Sequence, residues 1–251
     1  MSDFLLRLLK DPCGSVKRAF LKIFVLPIKY GRGQNYNAAG YWKDRFQRYS
    51  TAMKGVGCEG LSEEDNLRAR EQAIKIFDAA CRTQNIRFDQ INILEIGCGN
   101  GFYTDYLRQN GARNYTGIDI TDVLFGPLRA KFPAYNFVRK DVTADSLEGQ
   151  YDFIVMMDVI QHVVNREKLL SALDNIKGCL CPNGVFIVAP LTAASKRHLF
   201  HVHRWSVNEL DFVFRGNYSR QIVPFRAGED LVVIHNNKAG SGTFNLEFPA
   251  S

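Results

Sequence analysis

Paired cysteines, long apolar runs and phosphate-loop signatures are all missing from this 251-residue sequence. Its six cysteines (Cys13, Cys58, Cys81, Cys98, Cys179, Cys181) form no CxxC pair, and Cys179-x-Cys181 has no His or Cys partner nearby. We read all six as reduced thiols in a reducing compartment and expect no metal site. No stretch approaches the ~18 apolar residues of a membrane span. The start, MSDFLLRLLK, lacks a basic leader and Arg7 interrupts its apolar run, so a secretory signal is not expected and the expected location is cytoplasmic.

Acids are scarce at one end only. Residues 1 to 50 carry ten Lys/Arg and three acids, whereas the remainder carries 22 bases and 23 acids; +7 and −1 give the net +6. The basic character therefore belongs to an N-terminal arm. Within residues 1 to 31, apolar clusters (Phe4 to Leu9, Phe20 to Leu26) alternate with bases. Pro12 and Gly14 should split this stretch into two short helical pieces, and Pro27 should end the second. Two readings stay open: the arm packs its apolar side on the body, or it lies as an amphipathic segment on an anionic membrane surface.

What is present is a regular alternation. After a loop at 31 to 40, a helix is predicted over 41 to 53 with Trp42, Phe46 and Tyr49 on one side. A second runs from a Ser62–Asp65 capping box to about Cys81, with Leu67, Ile74, Phe77 and Ala80 inward. From residue 91 the apolar runs 91–96, 115–120, 136–138, 153–157 and 185–189 alternate with helical stretches at 101–110, 122–131 and 165–180. The pattern implies an α/β, doubly wound, mostly parallel sheet. Runs 219–225 and 231–235 are too close for a crossover helix, so they should form an antiparallel hairpin at the sheet edge. The expected division is a basic helical extension or lid over 1–59, a catalytic domain over 60–240 and a tail over 241–251.

The first βα turn reads Glu95-Ile-Gly97-Cys98-Gly99-Asn-Gly101. Glycines let a ligand approach the backbone, and a helix N-terminus offers free N–H groups. The spacing is GxGxG rather than the dinucleotide GxGxxG, and no GK[ST] follows. Acids stand at later strand ends. Asp119 lies 24 residues after Glu95, where a carboxylate can accept both ribose hydroxyls; Asp141 follows the third strand, and Asp158 to His162 closes the fourth. Asp122 and Asp145 read as helix caps or turn residues.

This set of motifs resembles the class I S-adenosylmethionine-dependent methyltransferases over roughly residues 60 to 240. Residues 95–101 are similar to that family's first motif. The fourth strand (Tyr151–Val155, then Asp158–His162) and the Leu180-Cys-Pro-Asn-Gly184 turn are also similar, with Asn183 in place of a glycine. The resemblance implies seven strands with the last inserted antiparallel, and S-adenosyl-L-methionine as cofactor. It implies a cofactor site at Glu95, Gly97, Cys98, Gly99, Gly101, Asp119, Ile120, Asp141, Val142, Asp158 and Val159. The segment around Tyr41, Trp42 and Arg45 is similar to a bacterial subgroup associated with cell-surface polysaccharide modification.

A hydroxyl acceptor benefits from a general base, and His162 is the candidate. His198, His201 and His203 precede Arg204 and Trp205. With no carboxylate or Cys close by a metal is not expected; the resemblance implies acceptor binding in this insertion, where His, Arg and Trp suit an anionic or sugar-like acceptor, and Ser206–Glu209 reads as a capping box for the next helix. The acceptor set expected from sequence is Tyr41, Trp42, Arg45, His201, His203, Arg204 and Trp205. The expected reaction is O-methylation of a small molecule or a lipid-linked glycan, at a cytoplasmic or inner-membrane surface. RNA or DNA methylation remains an alternative that the basic arm allows. It is disfavoured because Asp158-Val-Ile replaces the Pro-Pro-aromatic of base-amino methylases. A non-catalytic binding module is the other alternative.

Overall fold

In the computed structural model, which describes residues 12–238, the alternation becomes a seven-stranded sheet with helices on both faces. Residues 1–11 of the arm and the expected tail lie outside the described residues. The strands are β1 (Asn92–Ile96), β2 (Asn114–Asp119), β3 (Asn136–Arg139), β4 (Tyr151–Met157), β5 (Leu180–Leu191), β8 (Tyr218–Arg226) and β9 (Glu229–Asn236). Their order is β3-β2-β1-β4-β5-β9-β8. All pairings are parallel except those of β9, which runs antiparallel to both β5 and β8. The predicted hairpin is therefore real, and it places its second strand inside the sheet.

Period-two alternation divides the core in two. Ile93, Phe153, Val155 and Ile187 point to one face, under α5 (Glu63–Thr83), α6 (Phe102–Gln109) and α7 (Phe125–Lys131). Leu94, Ile154, Met156, Phe186 and Val188 point to the other, under α8 (Arg166–Cys179) and α9 (Asn208–Asp211). Strands buried on both faces explain why these runs are continuously apolar in sequence. Phe77 and Phe153, with no exposed surface, each contribute roughly 1.5–3 kcal/mol by burial.

The N-terminal segment departs from expectation. Pro12 opens a helix rather than breaking one: α1 (Pro12–Phe20) continues through a π-helical turn (Leu21–Val25) into α2 (Leu26–Tyr30). Pro27 sits inside this run. In a helix a proline leaves the carbonyl four residues back without its donor. Here that carbonyl, Ile23 O, accepts from Arg32 Nη2 at 2.7 Å, while the Leu26 N–H bonds back five residues to Leu21.

Helix α3 (Ala38–Tyr49) and the short α4 (Met53–Val56) follow. Asn37 caps α3 by accepting from Gly40 N at 2.9 Å. Helix α5 starts as its capping signal predicts, with Ser62 Oγ accepting from Asp65 N. Its inward stripe differs: Leu67 is 39% exposed, and Asn66 and Arg70 are buried instead. Asn66 holds the preceding loop, accepting from Cys58 N and donating to Cys58 O and Ser62 O.

Ser206–Glu209 is not a capping box. Ser206 Oγ accepts from Asn208 N, but its own N–H donates to Ser195 Oγ and Glu209 pairs with Arg166. The insertion before it forms a separate hairpin of β6 (Lys196–Leu199) and β7 (Val202–Arg204).

Candidate active site

The strand order reverses between β1 and β4, and in open α/β sheets that reversal opens a crevice at the strands' C-terminal ends. A cleft lies there. Its lining includes Glu95, Gly97, Cys98, Gly99, Asp119, Ile120, Asp141, Val142, Asp158, Val159 and His162, with Trp42 from the N-terminal side. Gly101 is not on the lining; it stands at the N-terminus of α6, against Leu128 and Phe132.

The glycine loop is built for close approach. Gly97 and Gly99 have φ of +73° and +51°, in the left-handed region that side chains disfavour. A Cβ on Gly97 would strike Val159 Cγ2, and one on Gly99 would come within 3.0 Å of Val56 Cγ1. The Gly99 N–H donates to Asp119 Oδ2 at 3.0 Å, and Thr121 N donates to Oδ1 at 3.2 Å. Burial pushes Asp119 up to about 6 against these donors, so it is largely ionised at neutral pH.

Glu95 is buried more deeply. Its Oε2 accepts from Tyr115 and Thr104 hydroxyls at 2.6 and 2.7 Å, and burial pushes it up to about 7. Cys98 is buried beside these acids and its thiol is pushed far up by desolvation, so it is no nucleophile. Asp141 Oδ1 accepts from the Thr143 N–H and hydroxyl in a local turn.

Asp158 is spoken for by cations. Its φ is +60°, its N–H donates to Ala189 O, and Arg226 grips both oxygens at 2.7 and 2.9 Å. Arg70 adds a third contact at 2.8 Å and donates to Val56 O. Burial raises the Asp158 carboxyl, but the two guanidinium groups outweigh it and hold the group below its ordinary range. Arg226 also pairs with Glu229 at 3.8 Å, which balances the two cations against two acids, and Arg70 lines the cleft wall.

His162 lies in the 3-10 turn after β4. Its Nδ1 is 2.9 Å from the His201 carbonyl oxygen, and Trp42 meets the ring edge-on at 4.8 Å. Burial lowers its pKa to about 4, so it is neutral at pH 7. Tyr36, from the segment before α3, also lines the cleft; its buried hydroxyl has no hydrogen-bond partner among the described residues.

The other expected acceptor residues sit elsewhere. Tyr41, Arg45, His201, His203, Arg204 and Trp205 are not on the lining. Arg45 is buried and donates to the carbonyls of Lys54, Gly55 and Gly57 and to the Tyr41 hydroxyl. His201 packs on Tyr41 and Phe200, where burial pushes it well down. His203 stacks on Trp205 at 3.8 Å, Trp205 Nε1 donates to Val163 O, and Arg204 faces solvent. The hairpin reaches the site through His201, whose carbonyl meets His162 Nδ1 and whose ring stacks on the His162 ring at 6.0 Å, and through the Trp205 anchor. Among the described residues no group of three His, Cys, Asp or Glu stands close enough to hold a metal.

Sequence reasoning missed Arg70, Arg226 and Tyr36. Arg70 could have been found as the one base on the Asn66–Arg70–Ala73–Phe77 stripe of α5. The other two carry no local signal.

The comparisons agree with this geometry. A family model described as a methyltransferase domain matches residues 41–221. The non-reducing polyketide synthase ausA of Emericella nidulans is 37% identical over 123 residues, 44% of this chain but 5% of that protein. A ubiquinone biosynthesis O-methyltransferase of Rickettsia prowazekii is 29% identical over 118 residues, 45% of each chain. The chain thus spans less than half the length of these curated relatives. Among solved structures, the N-methyltransferase NodS of Bradyrhizobium japonicum, in complex with S-adenosyl-L-homocysteine, aligns with a TM-score of 0.56. It is 17% identical and covers 77% of this chain and 99% of its own, a likeness of fold.

The residues present fit such a cofactor: glycine backbone on the cleft lining at Gly97 and Gly99, an ionised acceptor at Asp119 and the Arg70 guanidinium on the wall. On the family match, the fold and this site together, the chain belongs to the S-adenosylmethionine-dependent class I methyltransferases, and S-adenosylmethionine is its cofactor.

Proposed function

We propose that this methyltransferase acts on a hydroxyl oxygen of a small molecule or lipid-linked glycan, with His162 as the general base. The observation that carries the reading is the state of that imidazole. A carbonyl oxygen only accepts, so the contact with His201 O puts the proton on Nδ1 and leaves a lone pair on Nε2. The Gln161 amide nitrogen approaches Nε2 at 3.4 Å, a long contact that agrees with this tautomer. A neutral, cleft-lining imidazole with its acceptor nitrogen free of strong partners suits proton removal from a hydroxyl.

Bound S-adenosylmethionine supplies a methyl group on a sulfonium, an electrophile open to in-line attack. The chain's own residues then have three tasks: hold the cofactor, orient the acceptor and keep water out. Asp119 would accept the ribose hydroxyls, and Asp141 with Ile120 and Val142 would flank the adenine. Arg70 would face the cofactor's carboxylate. Trp42, Phe46, Val56 and Val164 make the wall on the N-terminal side aromatic and aliphatic. Such a wall favours an acceptor with an apolar body, and the unpartnered Tyr36 hydroxyl is available to grip its polar end.

The test is transfer of a labelled methyl group to a panel of phenols, sugars, sugar nucleotides, lipid-linked glycans, amines and RNA. Labelling of a hydroxyl compound that is lost in His162→Ala is the expected outcome. Labelling confined to RNA would replace this reading with a nucleic-acid enzyme, and bound cofactor without transfer to any acceptor would favour a binding module. A lipid-linked acceptor would bring the protein to a membrane surface, and the basic, apolar stretch within residues 1–30 supports a peripheral place there.

A further inference from the structure

The continuous helical run from Pro12 to Tyr30 has one side that holds the body. Pro27 and Tyr30 are buried, the Tyr30 hydroxyl donates to Asp44 at 2.7 Å, and Lys22 pairs with Glu59. The opposite side packs on none of the described residues of the body. Val16, Phe20, Phe24 and Ile28, one helical turn apart, are 62%, 55%, 54% and 86% exposed, with Ile23 and Val25 beside them. These six are two-thirds of the nine large apolar side chains that stand exposed among the described residues, so the surface is concentrated rather than scattered.

Charge identifies what covers it. Residues 12–32 contain five bases (Lys17, Arg18, Lys22, Lys29, Arg32) and no acid; Lys22 and Lys29 pair with Glu59 and Asp44 of the body, and Lys17 and Arg18 flank the exposed stripe on α1. A second copy of this helix would bring the same sign against the same sign. An anionic bilayer takes the apolar stripe into its acyl boundary and the flanking bases into its headgroups. Among the described residues no helix is long and apolar enough to cross a membrane, so the contact is one of lying on the surface.

We propose that α1 and α2 form an in-plane anchor for an anionic membrane, with Val16, Phe20, Phe24 and Ile28 as the inserted face. The anchor also sets where the cleft opens. Three residues after Tyr30 the chain enters the cleft lining at Gly33, and Tyr36, Ala38 and Trp42 continue that wall. The acceptor is then one held at the bilayer surface, a clause that rests on the methyl-transfer reading, whereas the anchor does not.

The test uses the full chain and sedimentation with vesicles of phosphatidylcholine containing about a third phosphatidylglycerol, against phosphatidylcholine alone. Wild type should bind the anionic vesicles at least about tenfold better, and high salt should weaken that binding. The triple variant F20E/F24E/I28E should lose binding about tenfold or more while its calorimetric affinity for S-adenosylmethionine stays at wild-type level, showing an intact fold. Undiminished vesicle binding by the triple variant overturns the anchor. So does a wild type that ignores anionic vesicles, or one that is a dimer in solution which the triple variant dissolves. Vesicle binding without cofactor binding would instead remove the methyl-transfer reading and keep the anchor.

Discussion

His162 Nδ1 lies 2.9 Å from the backbone carbonyl oxygen of His201, and this contact between two elements far apart in sequence fixes the tautomer of the imidazole. Burial lowers the His162 pKa to about 4. A base must be unprotonated to work, so its activity is present above that pKa and lost as pH falls through it. At saturating cofactor, kcat should be level from about pH 9 to about pH 6 and decline only below about pH 5. His162→Ala should lower kcat by about 10²–10⁴-fold with little change in KM for the acceptor. Unchanged turnover would remove His162 from the chemistry.

Cofactor affinity should follow a different titration. Asp119 is raised to about 6 by burial, and its ionised form is the better acceptor for ribose hydroxyls. Calorimetry should therefore show constant affinity for S-adenosylmethionine above about pH 7 and roughly tenfold weaker binding at about pH 5. Asp119→Ala should cost at least about 100-fold, the worth of two hydrogen bonds to a charged group. Wild-type affinity in that variant would overturn the ribose assignment.

Arg45 ties down α4 and its C-terminal cap rather than touching the cleft. One buried guanidinium satisfies the carbonyls of Lys54, Gly55 and Gly57. Removing it strands acceptors in a buried setting, so Arg45→Ala should destabilise by about 2–4 kcal/mol in urea unfolding. Because Val56 belongs to α4 and packs over Gly99, cofactor binding should weaken as well. A neutral effect on both would show that water replaces the clamp.

The Asp158 carboxylate holds Arg70 and Arg226 together, joining α5 to the end of β8. Asp158→Ala leaves two cations without their shared anion and should cost about 3–5 kcal/mol. The Asp158 pKa is depressed in the folded protein, so its contribution is present above the ordinary value of 3.8 and lost as pH falls through the lowered one. Equal stability of wild type and Asp158→Ala at pH 7 would show the triad to be neutral. Arg226→Ala should cost less, since Arg70 keeps its partner.

Much of this was legible in the sequence because it depends on short-range patterns. Strand and helix alternation, the GxGxG turn, the acids at strand ends and the Ser62 cap each follow from local periodicity or backbone chemistry, and each element appears within a few residues of its expected place. Local reasoning erred where a neighbour overrules a residue's own preference. Pro27 does not end the helix because Arg32 serves the carbonyl it frees. Leu67 does not turn inward because the inward position is taken by Arg70, whose partner lies 88 residues away. Ser206 and Glu209 form no capping box because the Ser206 N–H that Glu209 would accept from is claimed by Ser195.

By itself, then, the sequence determined the sheet, its glycine cradle and the acid at Asp119, since these are set by backbone geometry and by side chains a few residues apart. Only the tertiary structure decided which polar groups meet. The His201 carbonyl on His162, the two arginines on Asp158, the solitary Tyr36 hydroxyl and the apolar face left bare on the first helix are products of packing between elements distant along the chain. A burial pattern is written along the chain, but the partner of a buried charge is not.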